Sequence, residues 1–423
     1  VSRRALEWAL AAAAASLYIA MQVAPLLGTR GSGVAGMASH ANDFKHIYLG
    51  AVLMREGLSP FDPRVMMGAA ADRARTEDPR FRTILPYVYP PTTAVMMRPV
   101  AALPFAHAVV AWQLANHVML IAALALLARA APEGRRLLTL GAALAVAAFY
   151  APLFRQNSAG QLNVALLLAY AGVAELLRRN ARDEATGATI AAAALFKATP
   201  ALLLPWALVH RRWRLAAAIS AFAAGGIALS LLLAPPGAWL GFARELPAMG
   251  YGRSTWAEFG QTFWRDPYNQ SINALLHRTL VPHKGSDVVP WGLKVSPAGA
   301  NALTWGASLA ILVLTFTGTR RAASPPDSLP LAIMASLLLP SLMWDHYLVQ
   351  MAAPVMLLWW RVGVAGRAVL AASVVVAALP VALDQEAFRS GAGLLLMSLK
   401  LWPALAVFGV AYAATASRAE SAP

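Results

Sequence analysis

Residues 41–57 read ANDFKHIYLGAVLMREG and place Asp43, Lys45 and His46 within four positions of one another. A carboxylate held at the lip of a bilayer can take a proton from a substrate hydroxyl. An Asp at the start of a helical pattern can equally cap free backbone N–H groups. One residue can do both, and the sequence leaves both roles open. Behind it, Phe44, Ile47, Tyr48, Ala51 and Val52 recur at helical spacing and should pin one face to the membrane or to neighbouring helices. Other stretches carry comparable chemistry. In ILPYVYPPTTAVMMRPVAALPF (residues 84–105), Tyr87, Tyr89 and two prolines lead into a short helix bearing Arg98. An Arg within an apolar run snorkels to headgroups or binds an anion. FRQNSAGQLNVALLL (residues 154–168) crowds Arg155, Gln156, Asn157, Gln161 and Asn163 together. A turn needs Gly and one or two polar residues, so this many hydrogen-bonding side chains suit a sugar or a phosphate. Lys197 in FKATP sits between two apolar half-helices, where an unpaired charge costs several kcal/mol and a functional partner such as a lipid-linked phosphate is the default expectation. DPYNQSINALLHR (residues 266–278) brings Asn269, Gln270 and Ser271 to the head of an amphipathic run, and WDHYLVQ (residues 344–350) sets Asp345 beside His346.

The elements that must position these residues lie in a membrane. Of 423 residues, 59% are hydrophobic and 13% charged, and the mean hydropathy is +0.55, above what a soluble surface carries. The absence of Cys excludes disulfides, thiolate metal sites and a Cys nucleophile. A net charge of +15 could suggest nucleic acid. The Lys and Arg residues fall instead in short clusters between apolar runs, as orientation signals and contacts with anionic lipid do. We therefore expect membrane lipid and no nucleic acid as partner. The Ala-rich, Arg-rich usage fits a bacterium.

Apolar runs long enough to cross about 30 Å of hydrocarbon occur at residues 5–27, 107–128, 137–154, 161–177, 213–234, 300–318, 366–383 and 392–414. The first is too long for a signal-peptide core, which predicts a retained helix. Basic clusters at Arg3–Arg4, Arg129–Arg136, Arg178–Arg182, Arg211–Arg214, Arg320–Arg321 and Arg361–Arg367, with Arg418, are cytoplasmic by the positive-inside rule. Residues 184–212 have basic clusters at both ends, so the chain must enter and return within them, with Lys197 at the apex. Residues 328–361 repeat the logic, with WDHY at the outer turn. The expectation is an all-α polytopic protein, one integral domain over residues 1–423, with about twelve membrane segments including two short or re-entrant hairpins. Two outward segments, residues 28–106 and 235–299, should carry short amphipathic helices at the bilayer surface, and residues 300–423 the C-terminal helices.

Taken in order, DFKHIYLGAVLMREGLSPFDP, YPPTTAVMMRPVAALPF, GQLNVALLL, FKATPALLLPWALVHRRWR, NQSINALLHR and WDHY resemble the glycosyltransferase 87 family, bacterial membrane enzymes of the GT-C superfamily. The resemblance runs from about residue 40 to 350. It implies inverting transfer of a sugar, mannose or in related members arabinofuranose, from a polyprenyl-phosphate donor to a glycolipid or glycan hydroxyl on the outer face of the cytoplasmic membrane. The family's general base falls on Asp43 and a site histidine on His346, although WDHY departs from the family's usual paired-His wording. Its phosphate-facing basic residues fall on Lys197 and Arg98, with Arg155 a further candidate. His46, Tyr89, Gln161, Asn163, Asn269, Gln270 and Asp345 are then candidates for sugar or acceptor. No cofactor is expected, and no metal is required when Lys and Arg offset the charge of a phosphate diester. No DxD pair accompanies a strand pattern, which argues against a soluble nucleotide-sugar enzyme. A lipid-linked sugar flippase would use the same charges as a relay, and a non-catalytic scaffold is a third reading. The Trp-rich and Tyr-rich outer segments favour glycan handling, since a transporter places its determinants at the midplane between repeats, and no internal repeat is evident.

Overall fold

The computed structural model describes residues 3–25, 42–282, 287–293 and 295–416. Residues 28–41 of the first outward segment and Arg418 lie outside these. Among the described residues the chain is helical, with isolated bridges Asn269–Trp344 and Val289–Ser390 and no strand. It divides into two compact units, Val1–Ala201 with Arg214–Glu245, and Leu202–Trp213 with Leu246–Pro423.

In the first unit, α1 (Arg3–Tyr18) continues into a π-turn, Ile19–Val23. Next come α2 (Phe44–Arg55), α3 (Pro63–Thr76), α4 (Pro91–Met96), α5 (Phe105–Ala128), α6 (Arg136–Phe149), α7 (Ala151–Ala159), α8 (Asn163–Arg178) and α9 (Asp183–Phe196). After α10 (Leu203–Val209), which belongs to the second unit, α11 (Trp213–Leu233) and α12 (Ala238–Glu245) complete the first. The core forms around α2. The expected face of Phe44, Ile47, Tyr48, Ala51 and Val52 is buried, and so are Leu49, Gly50, Leu53 and Met54, so α2 is enclosed on every side. Phe44 stacks on Trp112 at 5.9 Å between ring centroids, and Tyr48 meets Phe105 at 5.0 Å. Gly50 is required because any Cβ there would overlap the Tyr87 ring. Helix α3 is amphipathic, burying the stripe Met66, Ala70 and Ala74.

Helices α6 and α7 meet at a 68° bend. Pro152 lies in the first turn of α7 and has no N–H to bond the Ala148 carbonyl four residues back. Buried Gln22, in the π-turn, compensates by donating Nε2–H to the carbonyls of Ala147 at 3.0 Å and Ala148 at 3.2 Å. A polar residue inside the first apolar run is thereby explained: it caps a broken helix in its neighbour. Gly160 closes α7 with φ 71°, a left-handed conformation that Gly takes without strain.

In the second unit, α13 (Ile272–Leu280), α14 (Pro297–Arg321), α15 (Pro325–Leu338), α16 (Ala352–Trp359), α17 (Val364–Ala378), α18 (Gly393–Met397) and α19 (Leu401–Ala416) follow α10. Helices α14, α15 and α19 pack together. The hairpin expected at residues 328–361 is present as α15 and α16 in contact, separated by a 3-10 stretch, Asp345–Met351.

Against the roughly twelve membrane segments expected, among the described residues four helices are by length and composition long and apolar enough to cross a bilayer, Arg4–Val23, Phe105–Ala128, Trp213–Leu233 and Pro297–Arg321; the bent α6–α7 pair makes up to five. A hydropathy window counts apolar residues and does not register helix ends. The run at 392–414 is interrupted between α18 and α19, where buried Lys400 donates to the carbonyls of Val376 (3.2 Å), Ala377 (2.8 Å) and Leu379 (2.5 Å) at the end of α17. A cation closing a helix C-terminus satisfies both its carbonyls and its dipole. The break at Lys197 is likewise real, since α9 ends at Phe196 and Lys197 takes an extended conformation.

Candidate functional site

Asp43 stands at the head of α2, in the N-cap position, but its side chain makes no capping hydrogen bond. Its backbone N–H donates to the Ala159 carbonyl at 3.0 Å, and its Oδ2 accepts from Gln161 Nε2 at 2.8 Å. Of the two roles the sequence leaves open, the structure does not use the cap. The half-buried carboxylate is held from the side by the α7–α8 turn. Among the described residues its side-chain hydrogen bond is the one from Gln161, on Oδ2.

Gln161 is the first link of a longer chain. Its Oε1 accepts from the Tyr89 hydroxyl at 3.2 Å. Its backbone carbonyl accepts from Gln156 Nε2 at 2.5 Å. Gln156 Oε1 accepts from Asn163 Nδ2 at 2.8 Å, and Asn163 Oδ1 accepts from Lys197 Nζ at 3.0 Å. Gln156 and Asn163 are fully buried. Local structure places each group. Thr92 and Thr93 on α4 donate to the Leu195 and Phe196 carbonyls, at 2.5 Å and 2.8 Å, fixing the end of α9 from which Lys197 projects. Trp112 Nε1 donates to the Gly160 carbonyl at 2.9 Å, anchoring the turn that carries Gln161 to α5.

His46 lies one turn along α2. Its Nε2 accepts from the Leu85 N–H at 3.0 Å, so the ring proton is on Nδ1, directed at the Asp43 carbonyl at 3.2 Å. Burial pushes its pKa down to about 4 against the pull of Asp43, and Lys45 lowers it further. It is a neutral clamp joining the Asp43 turn to the segment before Tyr87. Lys45, itself buried, donates to Thr83 Oγ1 at 2.5 Å.

Arg98 follows α4 and donates to the Leu233 carbonyl at 3.3 Å, at the C-terminus of α11. Arg155 is half-buried on α7. Asn269, Gln270, Asp345 and His346 belong to the second unit. There Asn269 donates to the carbonyls of Phe263 at 2.9 Å and Ser341 at 3.2 Å and accepts from the N–H groups of Ser271 and Met343, both at 3.1 Å. Gln270 donates to the Pro267 (2.5 Å) and Met397 (2.8 Å) carbonyls and accepts from the Lys400 N–H at 2.9 Å. Both amides thus bond to backbone, Asn269 at the approach to Trp344 and Gln270 at the stretch between α18 and α19. Beyond Trp344 the buried Asp345 and His346 stand side by side, Nδ1 to Oδ1 3.6 Å.

The structure gives roles to residues for which sequence reasoning had none. Gln156, noted there only as one of several polar side chains in its turn, is the middle link of the chain described above. Arg278, fully buried, donates to the Asp266 and Asn269 carbonyls (both 3.0 Å) and to Ser398 Oγ at 2.8 Å, and burial pulls its pKa down to about 10 despite Asp266. Each stood inside a quoted motif, and burial was the missing signal. Among the described residues no group of three or more His, Cys, Asp or Glu side chains converges as a metal site would.

Long apolar helices, with a carboxylate joined through buried amides to a lysine, define a membrane-embedded protein with a polar site built on its helix ends. The chain belongs to glycosyltransferase family 87, whose model matches residues 87–344, and it is a glycosyltransferase. Tyr89, Arg98, Arg155, Gln161, Asn163, Lys197, Asn269 and Gln270 lie within the matched stretch; Asp43 and His46 precede it, and Asp345 and His346 directly follow it. No curated protein and no solved structure matches the chain.

Proposed function

We propose that the protein transfers a sugar, mannose in the favoured reading, from a polyprenyl-phosphate donor to a hydroxyl of a glycolipid or glycan on the outer face of the bacterial cytoplasmic membrane. The observation that carries this is the Asp43 carboxylate, held by Gln161 through one oxygen, in the same hydrogen-bonded set as buried Lys197. Asp43 takes the acceptor's hydroxyl proton, the acceptor oxygen bonds to the anomeric carbon, and the bond from that carbon to phosphate oxygen breaks. The electron pair leaves on polyprenyl phosphate and the anomeric configuration inverts. Positive charge at the departing phosphate stabilises the transition state, which suits Lys197, with Arg98 or Arg155 assisting. The charge of a single phosphate is within what such side chains offset, so the reading needs no metal or cofactor. His346 is the second catalytic candidate and Asp345 an acceptor candidate.

The test is incubation of purified protein with a panel of radiolabelled polyprenyl-phosphate sugars and detergent-solubilised lipid acceptors. Transfer from polyprenyl-phosphate mannose supports the favoured reading, and transfer of arabinofuranose supports its relative. Movement of labelled lipid across vesicles without any transfer would make the protein a flippase. Orientation is tested with introduced cysteines: those at Ser39, Ser254 and Ser390 should react with an impermeant thiol reagent from outside, and one at Ser324 should not. The reverse pattern would invert the topology.

A further inference from the structure

The bonds between Lys197 and the Gln161 carbonyl share one direction. Lys197 Nζ donates to Asn163, Asn163 Nδ2 to Gln156, and Gln156 Nε2 to the carbonyl of Gln161, whose own side chain donates to Asp43. Every donor points away from the ammonium and toward the carboxylate. The ends fix this order. An ammonium only donates and a backbone carbonyl only accepts, so Asn163 must turn its oxygen to Lys197 and its NH2 to Gln156. Gln156, meeting that NH2 with its oxygen, must turn its own NH2 to the Gln161 carbonyl. Aligned amide dipoles polarise one another in a low-dielectric interior, and Gln156 and Asn163 are both fully buried.

We infer that Gln156 is a positioning residue that couples the two ends of the reaction: through Asn163 it aims Lys197, and through the Gln161 carbonyl it holds the residue that orients Asp43. The assignment of those ends to phosphate and acceptor hydroxyl rests on the function proposed above. The coupling itself does not. Gln156 reaches the reacting groups only through its neighbours, and no surface route is needed for it to act. When a phosphate draws the lysine forward, the change passes along the chain to the carboxylate. Charge neutralisation at the donor is then felt at the base before the acceptor's proton moves.

The experiment is a double-mutant cycle read in three backgrounds. Asp43→Asn and Lys197→Met are made singly and together, and thermal melts are taken of the full-length protein in detergent. With Gln156 present the two changes should depart from additivity, although the residues are joined only through intermediates. With Gln156→Met, or with Asn163→Leu as a second way to cut the chain should the first not fold, they should add. Additive melts in all backgrounds overturn the inference. Turnover provides a readout that simple loss of packing would not move. Gln156→Met should raise the donor KM and lower kcat, each by about tenfold, because it loosens both ends at once. Wild-type kcat and KM in that variant also overturn it. If the melts show the coupling while wild-type protein uses no polyprenyl-phosphate sugar, the donor assignment falls and the coupling stands.

Discussion

Two clusters of side-chain amides, one in each unit, were indistinguishable as sequence and differ in what they bond. In the first unit Gln161 bonds to Asp43, Gln156 to Asn163 and Asn163 to Lys197, side chain to side chain, with one backbone link, Gln156 to the Gln161 carbonyl, between them. In the second, Asn269 and Gln270 bond only to backbone carbonyls and N–H groups in their recorded contacts. Backbone partners cannot be rearranged without moving the chain, so the second cluster holds a fold. Side-chain partners can rotate when a ligand arrives, so the first can answer one. The difference separates residues that keep the site in place from residues that work in it.

The largest expected effect tests the first cluster. Asp43→Asn should leave the protein folded and able to bind donor while lowering the transfer rate by roughly a hundredfold to ten-thousandfold, the usual worth of a positioned base. An Asn oxygen can still accept from Gln161, so the turn keeps its anchor. A near wild-type rate, with a normal thermal melt, would move the search for the base to His346.

The matching change in the second cluster should act on stability instead. Asn269→Ala leaves the Phe263 carbonyl and the Ser271 and Met343 N–H groups buried without this partner, while the Ser341 carbonyl keeps Ser271 Oγ. Orphaned buried polar groups of this kind cost about 2–5 kcal/mol in all, read as a lower melting temperature, while the protein that remains folded keeps its kcat. An unchanged melt with lost turnover would place Asn269 among the working residues and erase the contrast between the clusters.

Much of this was legible in advance, and the limits were physical. Helix breaks at Lys197 and at WDHY followed from charge placed between runs too short to span. The importance of the Arg155–Asn163 stretch followed from more hydrogen-bonding side chains than a turn requires. Partner identity was not legible. An amide looks the same whether its partner is a carboxylate 118 positions away, as for Gln161, or a carbonyl 127 positions away, as for Gln270. Nor could composition reveal that Gln22 and Lys400 cap interrupted helices elsewhere in the chain.

A smaller effect sharpens the first cluster from its other end. Lys197→Ala should raise the donor KM more than Lys197→Arg does, by roughly tenfold, because the arginine keeps a charge near the phosphate but not the compact ammonium that fits Asn163. Titration of polyprenyl-phosphate sugar in each variant measures it. Equal and near-normal KM values would remove Lys197 from the donor site.

The smallest expected effect concerns His46, which sits among the first cluster's residues yet bonds like the second's, with both ring nitrogens on backbone groups. Its folded pKa, pushed down to about 4 by burial, lies below the unfolded value of about 6.5. Above that value both states are neutral and the clamp contributes fully. As pH falls from about 6.5 toward 4 the unfolded chain takes up a proton that the folded chain refuses, and stability drops by up to about 3 kcal/mol. His46→Gln can still donate and accept but cannot titrate. Its melting temperature should start somewhat below wild type at pH 7.5, and the gap should narrow as pH is lowered to 4.5. Parallel melting curves across that range would mean that His46 is already solvated or charged in the folded protein. It would then have to be counted with Asp43 and Lys197 as a group that can meet substrate, and no longer as part of the frame.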